Sequence, residues 1–369
     1  MSRVRRVLLV QPFDGARWRS ISAYAASLRE TLALAGIEVE SAEAPWFNPP
    51  ALLQGWRARW EKQPRVLEAA EGRYDIVHLV DHGLAQHAPR FRRNAAVVTT
   101  CHDVMPFTVR GYYASRREAV LKRAFLRRSY RSLAKADAVI AVSRFTAGEL
   151  DRAFPPHTPV CIVPNTLRAG FSEAPIRGPA VMRVESTHGT TVLSVGNDRA
   201  YKNLPALIEA MAHPALAHAT LVRVGPPLQG QAFALAQRLG VLRRLVYRDA
   251  ADDAALAAVY RESGVLAQPS LAEGFGIPVL EAMACGLPVV ASDGGALPEV
   301  LGGAGSVVPL GSADFPAAFA AALGNALANR EGLGAAGIAR ARRFTPSVVL
   351  PALLDAYDRA LEGAGRPTR

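Results

Sequence analysis

Short apolar runs alternate with longer, helix-length segments along almost the entire chain. The runs, three to five residues long, occupy positions 7–10, 76–80, 96–100, 138–142 and 160–163 in the first half and 191–195, 220–224, 245–247, 265–268 and 288–291 in the second. Such runs are typical of strands buried on both faces of a parallel sheet. The pattern therefore predicts an α/β protein with two parallel sheets and right-handed crossovers, in which ligands bind at the carboxyl ends of the strands.

A stretch rich in Gly and Pro and without clear periodicity, residues 168–189, interrupts this alternation. Such a composition is typical of a connection between domains. We therefore predict a Rossmann-like domain at residues 1–168 and a second one at residues 169–346, with a cleft opening beside the connection. An amphipathic pattern near the end of the chain predicts a last helix within residues 347–369.

The composition agrees with a soluble enzyme of two domains. The chain has 369 residues, of which 50% are hydrophobic and 20% charged, and this length exceeds one ordinary core. Its three cysteines, Cys101, Cys161 and Cys285, have neither metal-ligand spacing nor a pairing pattern, which fits a reducing compartment. The apolar run near the N-terminus is shorter than the ~7 to 15 residues of a signal-peptide core and the ~20 of a membrane span. These features predict a cytoplasmic protein.

The formal net charge of +11 is concentrated in one segment. From Arg110 to Lys135 there are nine Lys or Arg residues and one acidic residue, Glu118. At ~100° per residue, the apolar side chains fall on one half of a helical wheel and almost all the basic ones on the other, which predicts an amphipathic helix with a cationic face.

Three interpretations of this cationic face compete: a solvated surface, contact with anionic phospholipid headgroups, and contact with nucleic acid. The sequence contains no recognisable nucleic-acid-binding module and no basic stripe interleaved with stacking aromatics, so we predict no nucleic-acid partner. The first two interpretations stay open, and the second predicts a peripheral position on the inner face of the cytoplasmic membrane.

The richest candidate site is QPSLAEGFGIPVLEAMACG, residues 268–286. Here an apolar run ends at the predicted sheet edge and a helix follows, and a helix N-terminus in that position binds anions. Gly274 and Gly276 allow backbone N–H groups to approach a ligand. Glu273 in the loop is placed to meet a hexose, and Glu281, in or near the first helical turn, to accept hydrogen bonds from a ribose diol.

Each glutamate also has a purely structural interpretation. Glu281 would complement the helix dipole, and Glu273 would cap the turn. Two glutamates flanking a Gly-Phe-Gly turn favour a sugar-nucleotide site over that alternative.

Several segments together resemble a known family, the retaining glycosyltransferases of family 4, which have the two-domain GT-B fold. Besides the glutamate pair, the segments are VVTTCHDVMPF (97–107), DAVIAVSRFTAGEL (137–150), CIVPNTL (161–167), LSVGNDRAYKNL (193–204) and PVVASDGGALPEV (288–300). They are similar to that family's histidine segment, serine-capped helix, interdomain strand, glycine turn with its basic residue, and the strand after the glutamates. Because they occur in order over residues 7–345, the resemblance is far more specific than one motif.

The resemblance implies a role for each part of the chain. Residues 1–168 would bind the acceptor, residues 169–346 would bind the nucleotide sugar, and residues 347–369 would pack back on the N-terminal domain. The segment LSVGNDRAYKNL looks closest to the mannosyltransferase-like branch of the family.

The resemblance also implies the donor-binding residues. Lys202, six residues after Gly196, matches the lysine that holds the donor diphosphate. This chain has Asn197 where many members have an arginine, and we expect Arg199 to reach the diphosphate as well. A second departure is the N-terminal loop, in which Gly15 stands alone where many relatives have a glycine pair near the donor phosphates.

His102 matches the histidine that lies beside the donor sugar in relatives, and Asp103 follows it. The predicted catalytic residues are His102, Asp103, Lys202 and Glu273. The predicted donor-binding residues are Gly15, Gly196, Arg199, Lys202, Glu273, Gly274, Phe275, Gly276, Ile277 and Glu281.

We predict no metal ion and no cofactor other than the donor substrate, a GDP- or UDP-linked sugar. No Asp-x-Asp motif precedes the sugar site, and Asp252-Asp253 is interpreted as a helix cap. Charge-assisted hydrogen bonds from Lys202 would neutralise the diphosphate instead.

The sequence thus predicts a metal-independent retaining glycosyltransferase of surface glycan biosynthesis, such as that of lipopolysaccharide. It would transfer a hexose, with mannose from GDP-mannose as the leading choice, to a saccharide or lipid-linked saccharide. Because no credible nucleophile is found, we expect front-face attack with the departing phosphate oxygen as base. The alternatives are a non-catalytic sugar-nucleotide-binding protein and a GT-B-fold epimerase or phosphorylase.

Overall fold

The computed structural model describes residues 4–13, 19–44, 64–109, 112–113, 115–155, 158–172 and 190–365. The chain divides into two compact units. The first comprises Met1–Thr108, Ser115–Thr166 and Phe344–Arg369, and the second comprises Val109–Ala114 and Leu167–Arg343. Both ends of the chain therefore belong to the first unit.

The first unit contains a parallel sheet of six strands in the order β2-β1-β3-β4-β5-β6. Its strands are β1 (Arg6–Pro12), β2 (Glu38–Ala44), β3 (Ile76–Leu79), β4 (Ala96–Cys101), β5 (Ala138–Ala141) and β6 (Val160–Ile162). Its helices are α1 (Arg19–Ala33), α2 (Pro64–Ala70), α3 (Ala88–Phe91), α4 (Met105–Thr108), α5 (Arg116–Ser132), α6 (Arg144–Ala153) and α15 (Pro346–Gly363), with 3-10 turns at His82–His87 and Leu133–Lys135.

The second unit contains another parallel sheet of six strands, in the order β12-β11-β10-β7-β8-β9. Its strands are β7 (Thr190–Val195), β8 (Ala219–Val224), β9 (Leu245–Tyr247), β10 (Val265–Gln268), β11 (Val289–Ser292) and β12 (Ser306–Val308). Its helices are α7 (Ala169–Ser172), α8 (Leu204–Ala212), α9 (Gly230–Arg238), α10 (Asp253–Glu262), α11 (Ile277–Ala284), α12 (Leu297–Leu301), α13 (Phe315–Ala328) and α14 (Arg330–Ala341). Turns of 3-10 helix occupy Ala200–Lys202, Pro214–Leu216 and Val241–Arg244, and Arg342–Phe344 precedes α15. This is the strand order of a dinucleotide-binding Rossmann sheet.

The prediction of two Rossmann-like parallel sheets is confirmed, and each predicted apolar run overlaps an observed strand. Five of the inner strands, β3, β4, β5, β10 and β11, are buried along their whole length, because helices cover such a sheet on both faces. Strands β2 and β12, each at one edge of its sheet, were not predicted.

Polar side chains cap the N-termini of several helices. Ser115 begins α5, Ser143 begins α6, and Asp252 and Asp314 begin α10 and α13; each side-chain oxygen accepts a backbone N–H three residues ahead. The predicted capping role of Asp252 is therefore confirmed.

His78 ties the C-terminal helix to the centre of the first sheet. It lies in β3, fully buried, with its ring nitrogens 2.9 Å from the Tyr357 hydroxyl of α15 and 2.7 Å from the Thr100 hydroxyl of β4. Burial, with a smaller effect of the neighbouring His102, lowers the pKa of His78 to about 3. The folded protein therefore keeps this imidazole neutral.

We expect acid to destabilise the protein partly through His78. Because its pKa is depressed on folding, its contribution is complete above the ordinary histidine pKa of 6.5 and is lost as the pH falls toward about 3. The slope from this one side chain is about 1.4 kcal/mol per pH unit. Urea unfolding of the wild type and H78Q between pH 7 and pH 4 tests this. H78Q should be less stable at pH 7 yet lose less stability on acidification, and equal pH slopes would contradict the expectation.

Helix α5 confirms the predicted amphipathic helix with a cationic face. Leu126 and Tyr130 are buried in the first unit. The exposed cations of the helix and of the turn after it are Arg116, Arg117, Lys122, Arg127, Arg128, Arg131 and Lys135. None of the helices in the described parts of the chain combines the length and apolar character that crossing a bilayer requires.

Candidate functional site

The strand order of the second sheet places a topological switch between β7 and β10. These strands are adjacent, but their next neighbours lie on opposite sides. Loops that leave such strands diverge and open a crevice at the carboxyl edge, where ligands of this class of fold bind. Gly196 directly follows β7, and Pro269 and Ser270 directly follow β10. Two of the predicted motifs therefore meet at one point of the sheet edge.

Lys202 and Glu273 form a buried ion pair at this edge. The Lys202 Nζ lies 2.7 Å from the Glu273 Oε1, and the two side chains are 11% and 9% exposed. The same Oε1 accepts hydrogen bonds from the Gln268 amide and the Ser270 hydroxyl, each at 2.7 Å. Burial alone would lower the pKa of Lys202, but the Glu273 carboxylate and the neighbouring Tyr201 together outweigh burial, so the pKa is raised and the ammonium stays charged.

Gly196 leaves room for the Lys202 ammonium. Its φ of +130° is a conformation that side chains rarely adopt, and a Cβ there would lie 3.5 Å from the Lys202 Cε and 3.6 Å from its Nζ. A longer side chain would therefore occupy space beside the ammonium. Lys202 and Arg223 both line a cavity of about 10 Å³ at this place.

Arg223 is a second cation beside Lys202, and it is almost fully buried. From β8 its guanidinium donates hydrogen bonds to the Ser194 hydroxyl and to the Gly196 and Pro226 carbonyl groups. All three acceptors are neutral, and no carboxylate in the described ranges lies within ion-pair distance of Arg223. Burial lowers the pKa of Arg223 from that of an ordinary arginine. Its positive charge thus adds to that of Lys202 at the strand ends.

The Glu273 loop packs against the residues at the start of α12. Gly276, the N-cap of α11, has a φ of +100°, and a Cβ there would meet the Leu297 side chain at 2.8 Å. The Ala296 N–H donates to the Glu273 carbonyl oxygen at 2.9 Å. Residues after β11 therefore fix the loop that carries Glu273.

Glu281 is the fifth residue of α11, directly after the first turn, as predicted, and only 4% of the residue is exposed. Its Oε2 accepts from the Tyr260 hydroxyl at 2.9 Å, and its Oε1 accepts from the Arg168 guanidinium. Burial raises the pKa of Glu281, against the lowering effect of Arg168 and Tyr260. Glu281 and Glu273 thus belong to two separate hydrogen-bonded clusters.

Arg199, the arginine predicted to help hold the diphosphate, is exposed and contacts Tyr112. Its Nη1 lies 3.3 Å from the Tyr112 hydroxyl, and its guanidinium carbon lies 5.9 Å from the ring centroid. The Tyr112 ring stacks on Tyr201, with centroids 5.7 Å apart and planes 8° from parallel. A diphosphate contact of Arg199 stays a prediction, while the buried cation beside Lys202 is Arg223.

His102, in the first unit, follows β4 directly. Its Nε2–H donates to the Val80 carbonyl oxygen at 2.9 Å, and the Tyr24 ring meets it edge-on with centroids 4.7 Å apart. Burial lowers the pKa of His102, so the imidazole is neutral near pH 7 and its Nδ1 is the acceptor nitrogen. A neutral imidazole with this tautomer accepts a hydrogen bond from a hydroxyl group.

Asp103 mainly organises the chain at the end of β4. Its Oδ1 accepts from the Met105 N–H at 3.1 Å, at the start of α4, and its carbonyl oxygen accepts from the Tyr130 hydroxyl at 2.9 Å. Burial raises the pKa of Asp103. These contacts are structural, and the catalytic role of Asp103 stays a prediction.

The predicted catalytic set is divided between the two units. His102 and Asp103 belong to the first, and Lys202 and Glu273 belong to the second. Of the predicted donor-binding residues, Gly15 lies outside the described residues, and Gly196, Arg199, Lys202, Glu273, Gly274, Phe275, Gly276, Ile277 and Glu281 all lie in the second unit. Within the described ranges, no group of three or more His, Cys, Asp or Glu side chains is arranged to hold a metal ion.

Sequence reasoning missed several residues of these clusters, among them Arg223, Tyr112 and Arg168. Arg223 carried a usable signal, a charge inside an apolar run directly before Val224 and Gly225. Tyr112 and Arg168 carried none, because each contacts residues that are distant in the chain.

Family models match both halves of the chain. A model described as Glycosyltransferase Family 4 matches residues 21–168, and one described as Glycosyl transferases group 1 matches residues 189–329. The O-antigen chain mannosyltransferase B of Escherichia coli is 30% identical over an alignment of 325 residues, and the match covers 80% of this chain and 81% of the relative. The phosphatidyl-myo-inositol mannosyltransferase of Mycobacterium leprae is 36% identical over an alignment of 179 residues, and the match covers 46% of each chain.

Solved structures share the fold over nearly the whole chain. Sucrose-phosphate synthase from Thermosynechococcus elongatus has a TM-score of 0.76 at 21% identity, covering 97% of this chain and 99% of that one. Anabaena Alr3699/HepE in complex with UDP and glucose has a TM-score of 0.68 at 19% identity, covering 95% and 98%. Together with the family models and the Escherichia coli relative, these likenesses show that the chain belongs to glycosyltransferase family 4 and has its GT-B fold.

Proposed function

We propose that this protein is a retaining hexosyltransferase that moves mannose from GDP-mannose to a saccharide or lipid-linked saccharide of a surface glycan. The donor proposal is supported by two relatives whose names make them mannosyltransferases, one of them acting on the O-antigen chain. The observation that carries the transfer reaction is the buried Lys202–Glu273 pair at the switch point of the second sheet. Family membership favours neither a non-catalytic binding protein nor an epimerase.

Lys202 meets the main electrostatic demand of this reaction. Transfer breaks the bond between the anomeric carbon and a diphosphate oxygen, forms a bond from that carbon to the acceptor oxygen, and leaves negative charge on the diphosphate. Cations fixed in a site of low polarity stabilise such charge far better than water does. Lys202 would contact the diphosphate, and the field of Arg223 would add to it, so we propose that no metal ion is needed.

Glu273 would hold the donor hexose. All the bonds of this carboxylate to described residues use Oε1, which leaves Oε2 to accept from sugar hydroxyls. The neutral His102 would accept a hydrogen bond from another hydroxyl through Nδ1. Because no side chain is proposed as a nucleophile, the acceptor oxygen would attack the anomeric carbon from the front face. The proton of the acceptor hydroxyl would then pass to the departing phosphate oxygen.

A thermal-shift screen over GDP-, UDP-, dTDP- and ADP-linked sugars tests the donor, because a ligand that binds only the folded state stabilises it by mass action. We expect GDP-mannose to raise the Tm most, and acceptor-dependent release of GDP to continue in EDTA. A larger shift with another nucleotide sugar would overturn the choice of mannose. Binding without transfer would favour the non-catalytic alternative. Isomerisation of the sugar nucleotide without acceptor would favour the epimerase. Loss of activity in EDTA would contradict metal independence.

We further propose that α5 holds the protein on anionic phospholipid, where a lipid-linked acceptor would lie. Arg127, Arg128, Arg131 and Lys135 line one open depression of about 330 Å³ on the first unit. These four cations form no ion pair with any residue that the structure describes. Charges near an anionic surface contribute about 1 kcal/mol each to binding, and salt screens them.

Vesicle sedimentation tests this docking surface. The triple variant R127Q/R128Q/R131Q should bind vesicles containing phosphatidylglycerol on the order of a hundredfold more weakly than the wild type. The matched control R238Q/R243Q/R343Q removes the same charge from exposed positions of the second unit and should bind like the wild type. If both variants lost vesicle affinity equally, or if the first lost none, the cationic face of α5 would be a solvated surface that does not bind the membrane.

A further inference from the structure

A cluster of charged and aromatic side chains surrounds Glu281, and its cation is Arg168. Arg168 is the second residue of the segment Leu167–Arg343, which forms most of the second unit, and it lies directly before α7. Its guanidinium donates to two carboxylates, those of Asp253 at the start of α10 and of Glu281 in α11. Only 23% of its side chain is exposed. A short connecting segment is thereby joined to both helices through one side chain.

Aromatic side chains close the cluster. The Arg168 guanidinium carbon lies 4.9 Å from the centroid of the Phe171 ring, which meets the Tyr260 ring edge-on at 6.0 Å. Tyr260 completes the ring of contacts through its hydrogen bond to the Glu281 Oε2. Phe171 and Tyr260 are almost fully buried. Arg168 is therefore held in one orientation, and so is the carboxylate it contacts.

The ionisation of Glu281 depends on the positive charge of Arg168. The groups that face it are Arg168, Asp253 and Tyr260 of α10, and Cys285 after α11. Burial and the like charge of Asp253 both raise the pKa of Glu281. Arg168 is the only cation among these groups.

We propose that Arg168 is a positioning residue of the donor site, which keeps the Glu281 carboxylate charged and fixed so that it can accept hydrogen bonds from the donor ribose. The inference rests on the proposed function and on the prediction from the sequence that Glu281 accepts hydrogen bonds from the donor ribose. An ionised carboxylate has about four acceptor positions. Arg168 and Tyr260 use two of them, which leaves two for a vicinal diol.

The chemistry of arginine explains why this residue fits the position. A planar guanidinium can pair with two carboxylates at once, in fixed directions. An ammonium group is a single point charge and would hold Glu281 or Asp253 less firmly in place. We therefore expect Arg168→Lys, which keeps the charge, to disturb Glu281 less than Arg168→Gln, which removes the charge.

Two measurements test the proposal. The first is the titration of the Glu281 carboxyl carbon by NMR in the ligand-free protein, assigned with E281Q. The second is the affinity for GDP and for UDP by calorimetry from pH 6 to pH 9. In R168Q we expect Glu281 to titrate at higher pH than in the wild type. We expect GDP to bind about 10 to 100 times more weakly at neutral pH and to regain affinity as the pH rises. R168K should fall between R168Q and the wild type.

Three further variants keep the test specific. R330Q removes an arginine that donates to the Ser263 carbonyl at the end of α10 and should behave like the wild type. D253N removes the like charge and one of the two carboxylates that Arg168 contacts, but it keeps the arginine and its pairing with Glu281. Glu281 should therefore titrate lower, and GDP should bind at least as tightly. This variant keeps the proposal testable if R168Q fails to fold. In R168Q/E281Q the pH dependence that R168Q introduces should vanish.

The opposing outcomes are distinct. An unchanged titration of Glu281 in R168Q and in D253N would overturn the positioning role, whatever the protein binds. Tighter GDP binding by R168Q would overturn it in favour of an arginine that occupies the place of the ribose. Failure of the wild type to bind GDP or UDP, with the titration shifted as expected, would overturn the proposed function and not the control of Glu281 by Arg168.

Discussion

Lys202→Met is expected to lower the kcat/KM for transfer by about three orders of magnitude and to weaken nucleoside diphosphate binding as well. Removing a single preorganised donor from a developing negative charge costs on the order of 10² to 10³ in rate, and Lys202 supplies a full charge besides. The substitution also leaves the Glu273 carboxylate, 2.7 Å from the former ammonium, to repel the diphosphate. Steady-state kinetics and calorimetry with GDP measure the two effects.

A matched control for this substitution is Lys122→Met. Lys122 pairs with Glu118 on the exposed side of α5, so its loss changes the net charge by the same amount outside the second unit. We expect the control to keep its rate of transfer, and Lys202→Arg to keep part of it, since the charge remains but the geometry changes. If Lys202→Met and Lys122→Met transferred sugar at similar rates, Lys202 would not be the main electrostatic element.

The sequence was sufficient for the central strands because burial on both faces leaves an uninterrupted apolar run. It was insufficient for edge strands such as β2, whose sequence EVESAEA carries three glutamates. Only Ala42 and Ala44 of that strand are buried, so its hydrophobic signal is weak. Pairing with β1 along its full length defines β2 as a strand, and this partner is not visible in local sequence.

The same limit applied to the site. Lys202 was predicted from the family resemblance, and Glu273 from the glycine-containing loop after a recognisable strand. Strand order then places the ends of β7 and β10 side by side. Their electrostatic surroundings were not predicted, since Arg168 reaches Glu281 over 113 positions of sequence. Asp253 shows the difference within one dipeptide: the local capping rule holds for Asp252, whereas Asp253 pairs with Arg168.

Glu273→Gln is expected to separate binding from transfer, unlike Lys202→Met. Transfer should fall by about 10² to 10³, because the carboxylate proposed to hold the hexose is lost. GDP should bind at least as tightly as in the wild type, because the diphosphate then meets the Lys202 ammonium without a competing negative charge. The unliganded variant should be less stable by about 3 to 5 kcal/mol, the usual effect of leaving one partner of a buried ion pair uncompensated.

Thermal unfolding with and without GDP checks this combination of effects. In Glu273→Gln the bound diphosphate would neutralise Lys202, so the rise in Tm caused by GDP should exceed that of the wild type at the same concentration. If GDP instead bound more weakly, Glu273 would help to hold the diphosphate rather than compete with it. The Lys202–Glu273 pair would then have to be a preformed anchor that stays intact when the donor binds, and not a pair whose cation is shared with the leaving group.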